Sequence, residues 1–168
     1  MNPSTPEVSI LLPCYNAADT LFQSLDSLIS QTLQDFEIVA VDDGSTDNTL
    51  DILQHHASLD NRICTIQTPH RGIVSALNTG LAACRAPYVA RMDSDDRAHP
   101  KRLEKQVSLL DDNPQIGVVS CLVSAFPKER VREGFLVYLD WLNSLIEDQD
   151  IRREIFIESP LPHPSVTF

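Results

Sequence analysis

Four short, largely apolar runs, EVSILLP, FEIVAV, RICTIQT and PYVARM, recur along the chain, each followed by a polar cluster and then by a segment of helical period. Strands that are apolar along their whole length need cover on both faces. The alternation therefore constrains the chain to the α/β class, with a mostly parallel sheet and helices on both sides. Between the strands, TLFQSLDSLISQ puts Leu21, Phe22, Leu25, Leu28 and Ile29 on one helical face, and GIVSALNTGLAACRA puts Ile73, Leu77 and Leu81 in register. Ser45 or Thr46 is the expected cap of the helix in DDGSTDNTLDILQHH, and Pro100 the expected opening of the one in PKRLEKQVSLLDDNP. A fifth strand is expected in QIGVVSCLVSAF, with Gly117 inside it.

In open parallel sheets, ligands bind beyond the carboxyl ends of the strands. The clusters PCYNAAD, DDGSTD, PHRG and DSDD all fall there. Four loops are thus expected to share one cleft.

From Pro127 the pattern changes. FLVYLDWLNSLIEDQDIRREIF reads as one helix with Phe135, Leu139, Leu142 and Ile146 on a stripe. ESPLPHPSVTF then carries three prolines into an apolar, strand-like end. The expected division is a ligand-binding core over 1–126 and a helical connector over 127–168, within a longer natural protein. At 168 residues the chain can bury one large core. Its formal charge of -11 argues against a nucleic-acid backbone as partner, because phosphate contacts need a basic face. With no membrane-length apolar run and no basic-then-apolar leader, a cytoplasmic location is expected. Cys14, Cys64, Cys84 and Cys121 are too scattered for a metal site and read as reduced core thiols.

Asp93, Asp95 and Asp96 lie within four residues at the end of the fourth run. Two carboxylates about 4 Å apart repel by roughly 4 kcal/mol at an effective dielectric near 20. One relief is a hard divalent cation that takes one or two carboxylates and completes its shell with diphosphate oxygens and water. The other is a solvated acidic turn, with Asp96 capping the next segment and Arg91 or Arg97 neutralising charge. In VDDGSTDNT, Asp42 or Asp43 could accept hydrogen bonds from a base or a ribose hydroxyl, or could simply build an Asx-type turn. Pro13 is read as ending the first strand, Tyr15 as flanking a base and Asn16 as fixing the turn. Arg71, beside Gly72, could meet a base or a phosphate. His163 stands in a proline-fixed setting that suits packing better than catalysis.

Taken together, VSILLPCYNAADTLFQSLDSLISQTLQDFEIVAVDDGSTDNT and GIVSALNTGLAACRAPYVARMDSDDRAHPKRLEKQV strongly resemble glycosyltransferase family 2. The resemblance implies a GT-A (Rossmann-like) fold and inverting transfer from a nucleotide sugar, with UDP favoured and dTDP or GDP as alternatives. By resemblance, Pro13, Tyr15 and Asn16 border the nucleotide, Asp42 with Asp43 recognises the base, and Arg71 and Gly72 cover it. Asp93 and Asp95 match the D-x-D motif as the metal site, Asp95 as direct ligand of Mn²⁺ or Mg²⁺ and Asp93 nearer the ribose or a bound water. The implied acceptor is a glycan or lipid-linked glycan, as in polysaccharide assembly, with peripheral association of the full-length protein at the inner face of the membrane. The family's general base is expected beyond Phe168. Glu158 does not match it, so no base is assigned. Two rival readings are a nucleotide-sugar-binding module without transfer, and a phospho-receiver domain that would lack its isolated Asp and late Lys.

Overall fold

A computed structural model describes residues 5–127, 129 and 131–168. Four strands, β1 (Val8–Cys14), β2 (Phe36–Asp42), β3 (Ile63–Gln67) and β4 (Tyr88–Arg91), form a parallel sheet in the order β3-β2-β1-β4. All seven residues of β1 and of β2 are buried, as continuous apolar strands at the centre of a covered sheet must be. The fold is α/β and GT-A-like, with a mostly parallel sheet.

Helices α1 (Leu21–Ile29), α2 (Thr49–Leu59), α3 (Ile73–Ala83) and α4 (Arg102–Asp112) follow the four strands in turn. Leu21, Leu25 and Leu28 of α1, Leu53 of α2 and Leu103 and Val107 of α4 join Val8, Ile10 and Leu12 of β1 in one core cluster. Helix α3 covers the other face. There Gly80 presses on the sheet so closely that a Cβ would lie 2.9 Å from Val41 Cγ2 and closer still to Leu11 Cδ1. That close approach shifts the buried stripe of α3 to Ala76 and Gly80, leaving Ile73 and Leu81, expected inside, exposed. Phe22 is likewise exposed on α1.

The free edge of β4 is taken by the end of the chain, which runs antiparallel to it. Val89 N donates to Phe168 O (2.8 Å), Phe168 N to Val89 O (3.0 Å) and Arg91 N to Val166 O (2.9 Å). Arg102 and Gln106 of α4 clasp this run: Arg102 Nη2 donates to Arg91 O (2.7 Å), Gln106 Nε2 to Ser165 O (2.8 Å) and Thr167 Oγ1 to Gln106 Oε1 (2.8 Å). The final residues therefore belong to the sheet, although the sequence groups them with the connector.

This arrangement overturns the expected fifth strand. QIGVVSCLVSAF can reach only the outer side of the terminal run, and it does so through one bridge, Val119 to Thr167. At Val123 the side chain of Asn143 replaces a strand partner, accepting from Val123 N (2.9 Å) and donating to Val123 O (2.8 Å). The single late helix also divides, into α5 (Glu133–Ser144) and α6 (Asp148–Glu154). Leu145 turns inward, while Asp148 and Asp150 at the start of α6 and Arg152 and Arg153 at its end suit a new helix dipole. Of the expected stripe, Leu139 and Leu142 are buried, whereas Phe135, in the first turn of α5, and Ile146, in the break itself, are exposed. Of the cysteines only Cys14 is buried. Cys64 is exposed on edge strand β3, Cys121 is exposed, and Cys84 is intermediate.

Candidate functional site

The strand order reverses direction between β1 and β4, with β2 and β3 on one side of β1 and β4 on the other. Such a switch point leaves a crevice where the loops diverge. Here it opens a cleft of about 520 Å³, lined from β1 onward by Pro13 to Ala17, Asp19 and Thr20, and by Asp43, His70, Ile73, Ala76 and Asp93 to Asp95. All four loops contribute. A smaller hollow of about 320 Å³ lies between α1 and α2, around Phe22 and His56, away from the strand ends.

The first loop is bolted to the second. Strand β1 continues through Pro13 to Cys14, so Pro13 sits inside the strand and does not end it. Asn16 has a positive φ of 48°, which Asn tolerates better than most residues. Its Oδ1 accepts from Thr46 N (2.8 Å) and its N donates to Ser45 Oγ (3.0 Å). Ala17 N donates to Thr49 Oγ1 (2.7 Å) and Ala18 N to Asp47 Oδ2 (3.1 Å). Ser45 and Thr46 therefore serve the neighbouring loop instead of capping their own helix. Helix α2 begins later, at Thr49, whose N donates to Asp47 Oδ1 (3.0 Å).

The two acids after β2 have opposite environments. Asp43 reaches the cleft, but its carboxylate is already engaged by Arg71 N (2.9 Å), Gly72 N (2.8 Å) and His70 Nδ1 (2.9 Å). Burial would raise its pKa, but these donors outweigh burial and hold it below the ordinary carboxylate value. Arg71 and Gly72 thus meet Asp43 through their backbones, and neither lines the cleft. Asp42 is fully buried behind the cleft. Its Oδ1 accepts from Ser45 N at 3.3 Å, while its Oδ2 has no partner among the described residues. An unpaired buried carboxylate oxygen is rare and calls for an explanation.

Sequence reasoning passed over His70. Its ring stacks on Tyr15, with centroids 4.0 Å apart and planes 21° from parallel. The one signal was its place in the PHRG cluster.

Across the cleft, Asp93 is held by Arg91, whose Nη2 donates to both carboxylate oxygens (3.0 and 3.3 Å). The acidic-turn reading is right to that extent. Arg97 instead lies over the Phe126 ring, and α4 is capped at Lys101 rather than by Asp96. Burial and then the neighbouring Asp95 and Asp93 charges push the Asp96 carboxyl up to about 6. Burial, reinforced by Asp42 and Asp93, pushes the Cys14 thiol up to about 12, so it stays an inert wall residue. No side-chain partner is found for Asp95 among the described residues. His163 accepts or donates at Ser159 Oγ (3.0 Å), and Glu158 Oε1 accepts from Ser159 N (2.9 Å); both serve the chain end.

The donor chemistry fits a hard divalent cation. The cleft offers carboxylate oxygens from Asp93 and Asp95, and the described residues contain no group of three His, Cys, Asp or Glu ligands. A cation here would draw its remaining oxygens from a ligand and water.

Comparison with known proteins matches residues 9–165 to the model of glycosyl transferase family 2. An uncharacterised glycosyltransferase of Haemophilus influenzae is 41% identical over 112 residues, 66% of this chain and 35% of its own length. TarS of S. aureus, solved in complex with UDP, superposes with a TM-score of 0.67 at 26% identity, covering 76% of this chain and 38% of that one. The mannosyltransferase PcManGT from Pyrobaculum calidifontis, solved with GDP-Man and Mn²⁺, gives 0.66 at 30% identity, covering 73% and 37%. The chain spans little more than a third of each.

Proposed function

This chain belongs to glycosyl transferase family 2, and from that premise we propose that its cleft binds a nucleotide-diphosphate sugar, UDP-linked by preference, through Mn²⁺ or Mg²⁺. The observation that carries this reading is the meeting of Asp93 and Asp95 with Tyr15, Asp43 and His70 in one crevice at the switch point. Acids cannot face a diphosphate without an intervening cation. The UDP complex of TarS and the GDP-Man and Mn²⁺ complex of PcManGT support the same ligand class.

In this reading Asp95 is the direct metal ligand, and Arg91 holds the Asp93 carboxylate in place beside it. Tyr15 borders the base, Asp42 supplies the buried acceptor that reads it, and Asp43 ties down the loop that carries His70, Arg71 and Gly72. When bound, the cation supplies Lewis-acid stabilisation of the leaving diphosphate. The full-length protein would transfer the sugar with inversion to a glycan or lipid-linked acceptor in polysaccharide assembly at the cytoplasmic side of the membrane. No helix among the described residues is long and apolar enough to cross a membrane. A second reading, binding without transfer by residues 1–168, is favoured by Glu158 and His163 lying outside the lining of the cleft.

Calorimetry of UDP and of GDP with Mn²⁺, repeated with EDTA, tests the proposal. Nucleotide binding that EDTA abolishes is expected. Equal affinity with and without the metal would refute the metal role.

A further inference from the structure

We propose that His70 is a positioning residue for the nucleobase: it clamps the Tyr15 ring and extends it into a two-ring wall against which a planar heterocycle packs. The inference rests on the nucleotide reading above and adds to it a residue that no comparison assigns.

His70 is half exposed, with 52% of its side chain accessible, yet it is restrained on three sides. Its ring lies flat on Tyr15 at 4.0 Å. Its Nδ1 faces Asp43 Oδ2 at 2.9 Å and the Asp43 carbonyl oxygen at 3.0 Å. Both partners are acceptors, so Nδ1 carries the hydrogen and the orientation of the imidazole is fixed. Its backbone is pressed by Gly44, where a Cβ would lie 2.6 Å from His70 N and where φ is +69°. Only glycine fits there comfortably.

The fold does not need such restraint on a half-exposed loop side chain. The restraint does fix one thing, the plane of Tyr15, itself 46% exposed at the mouth of the cleft. Tyr15 sits on the loop after β1 and His70 on the loop after β3, so the stack joins two separate walls. Stacking platforms of this kind hold a base by its π-face. Asp43 then acts as the anchor of His70, which explains why its carboxylate is spent on loop atoms.

The test is calorimetry of UDP in the presence of Mn²⁺ with the full chain and three variants. His70→Ala removes both ring and N–H. His70→Phe keeps a ring for Tyr15 but gives Asp43 nothing. His70→Asn offers Asp43 an N–H but no ring. Roughly tenfold weaker binding is expected for the Ala and Asn variants, with most of the affinity recovered in the Phe variant. Unchanged affinity in His70→Ala overturns the inference. So does rescue by Asn without rescue by Phe, or equal loss in all three, since either would mark His70 as a loop-building residue. If the unmodified chain binds neither UDP nor GDP, the nucleotide reading itself fails, and that result is visible before any variant is made.

Discussion

The two ends of strand β2 carry one buried acid each, and the two acids are treated in opposite ways. At its start, Glu37 is saturated: Ser9 Oγ donates at 2.6 Å, Arg85 N at 2.8 Å and Arg85 Nε at 2.8 Å, with Arg85 Nη2 at 2.6 Å. At its end, across the four apolar residues Ile38 to Val41, Asp42 keeps Oδ2 without a partner among the described residues. The same contrast holds across the sheet. The amino edge spends its charge on closing the fold, while the carboxyl edge gathers Asp43, Asp93 and Asp95 around a cleft. An acid that stabilises is surrounded by donors. At the carboxyl edge Asp43 and Asp93 are likewise tied down, to the loop after β3 and to Arg91, and it is Asp42 Oδ2 and Asp95 that are left short of donors among the described residues.

The largest expected effect sharpens this division. Asp95→Ala should weaken Mn²⁺-dependent UDP binding about a hundredfold, since it removes a carboxylate from a cation that has few protein ligands. Its melting temperature should stay within a few degrees of the unmodified chain. A variant that unfolds early would show that Asp95 belongs to the structural class after all.

Glu37→Ala should do the reverse. It strands Ser9 Oγ, Arg85 N and the guanidinium around a buried space, a loss of about 2 kcal/mol once the exposed side of Arg85 is discounted. That should appear in urea unfolding as a lower midpoint, with UDP affinity within twofold of the original. Parallel loss of affinity would break the claim that the two edges are independent.

The same pair gives a smaller, pH-dependent effect. Burial raises the Glu37 carboxyl, but the Ser9 and Arg85 donors outweigh it and leave the folded value depressed. Its stabilisation is therefore complete at neutral pH and is lost as pH falls below about 4.3, where the unfolded side chain begins to take up its proton. Glu37→Gln should flatten the fall in melting temperature over that range. An unchanged slope would assign the acid sensitivity to other carboxylates.

How far the sequence discloses these features depends on whether a neighbour in space decides them. Strands β1 and β2 are plain in VSILLPC and FEIVAVD, because burial on both faces leaves no polar position to mistake. The loops of the cleft are plain for the same reason, since polarity can resume only where a strand leaves the core. The fate of the expected fifth strand is not legible locally, because the edge it would take is filled from the far end of the chain, Val166 to Phe168. Ser45 and Thr46 looked like caps because nothing local says that Asn16 will claim them. His70 was passed over for a similar reason: its value lies in a contact with Tyr15, on a loop more than fifty residues earlier. Asp42 and Asp43 are adjacent and chemically alike, so no spacing rule separates the one that is shut away from the one that is tied to the loop.

That last ambiguity yields the smallest expected change in stability. Asp42→Asn keeps an oxygen for Ser45 N and replaces a buried charged group by a neutral one. The new NH₂ would be as unpartnered as Oδ2 is now, but a neutral amide is less costly to bury than a carboxylate. The melting temperature should therefore hold or rise slightly, by an amount equivalent to about 1 kcal/mol or less. If Oδ2 is unpaired because a base N–H is its intended donor, UDP affinity should fall in the same protein. Gaining stability while losing ligand is the pattern of a group kept under-satisfied for binding. A drop in both would mean that Asp42 supports the fold as Glu37 does, and the contrast between the two ends of β2 would fail at the residue where it is sharpest.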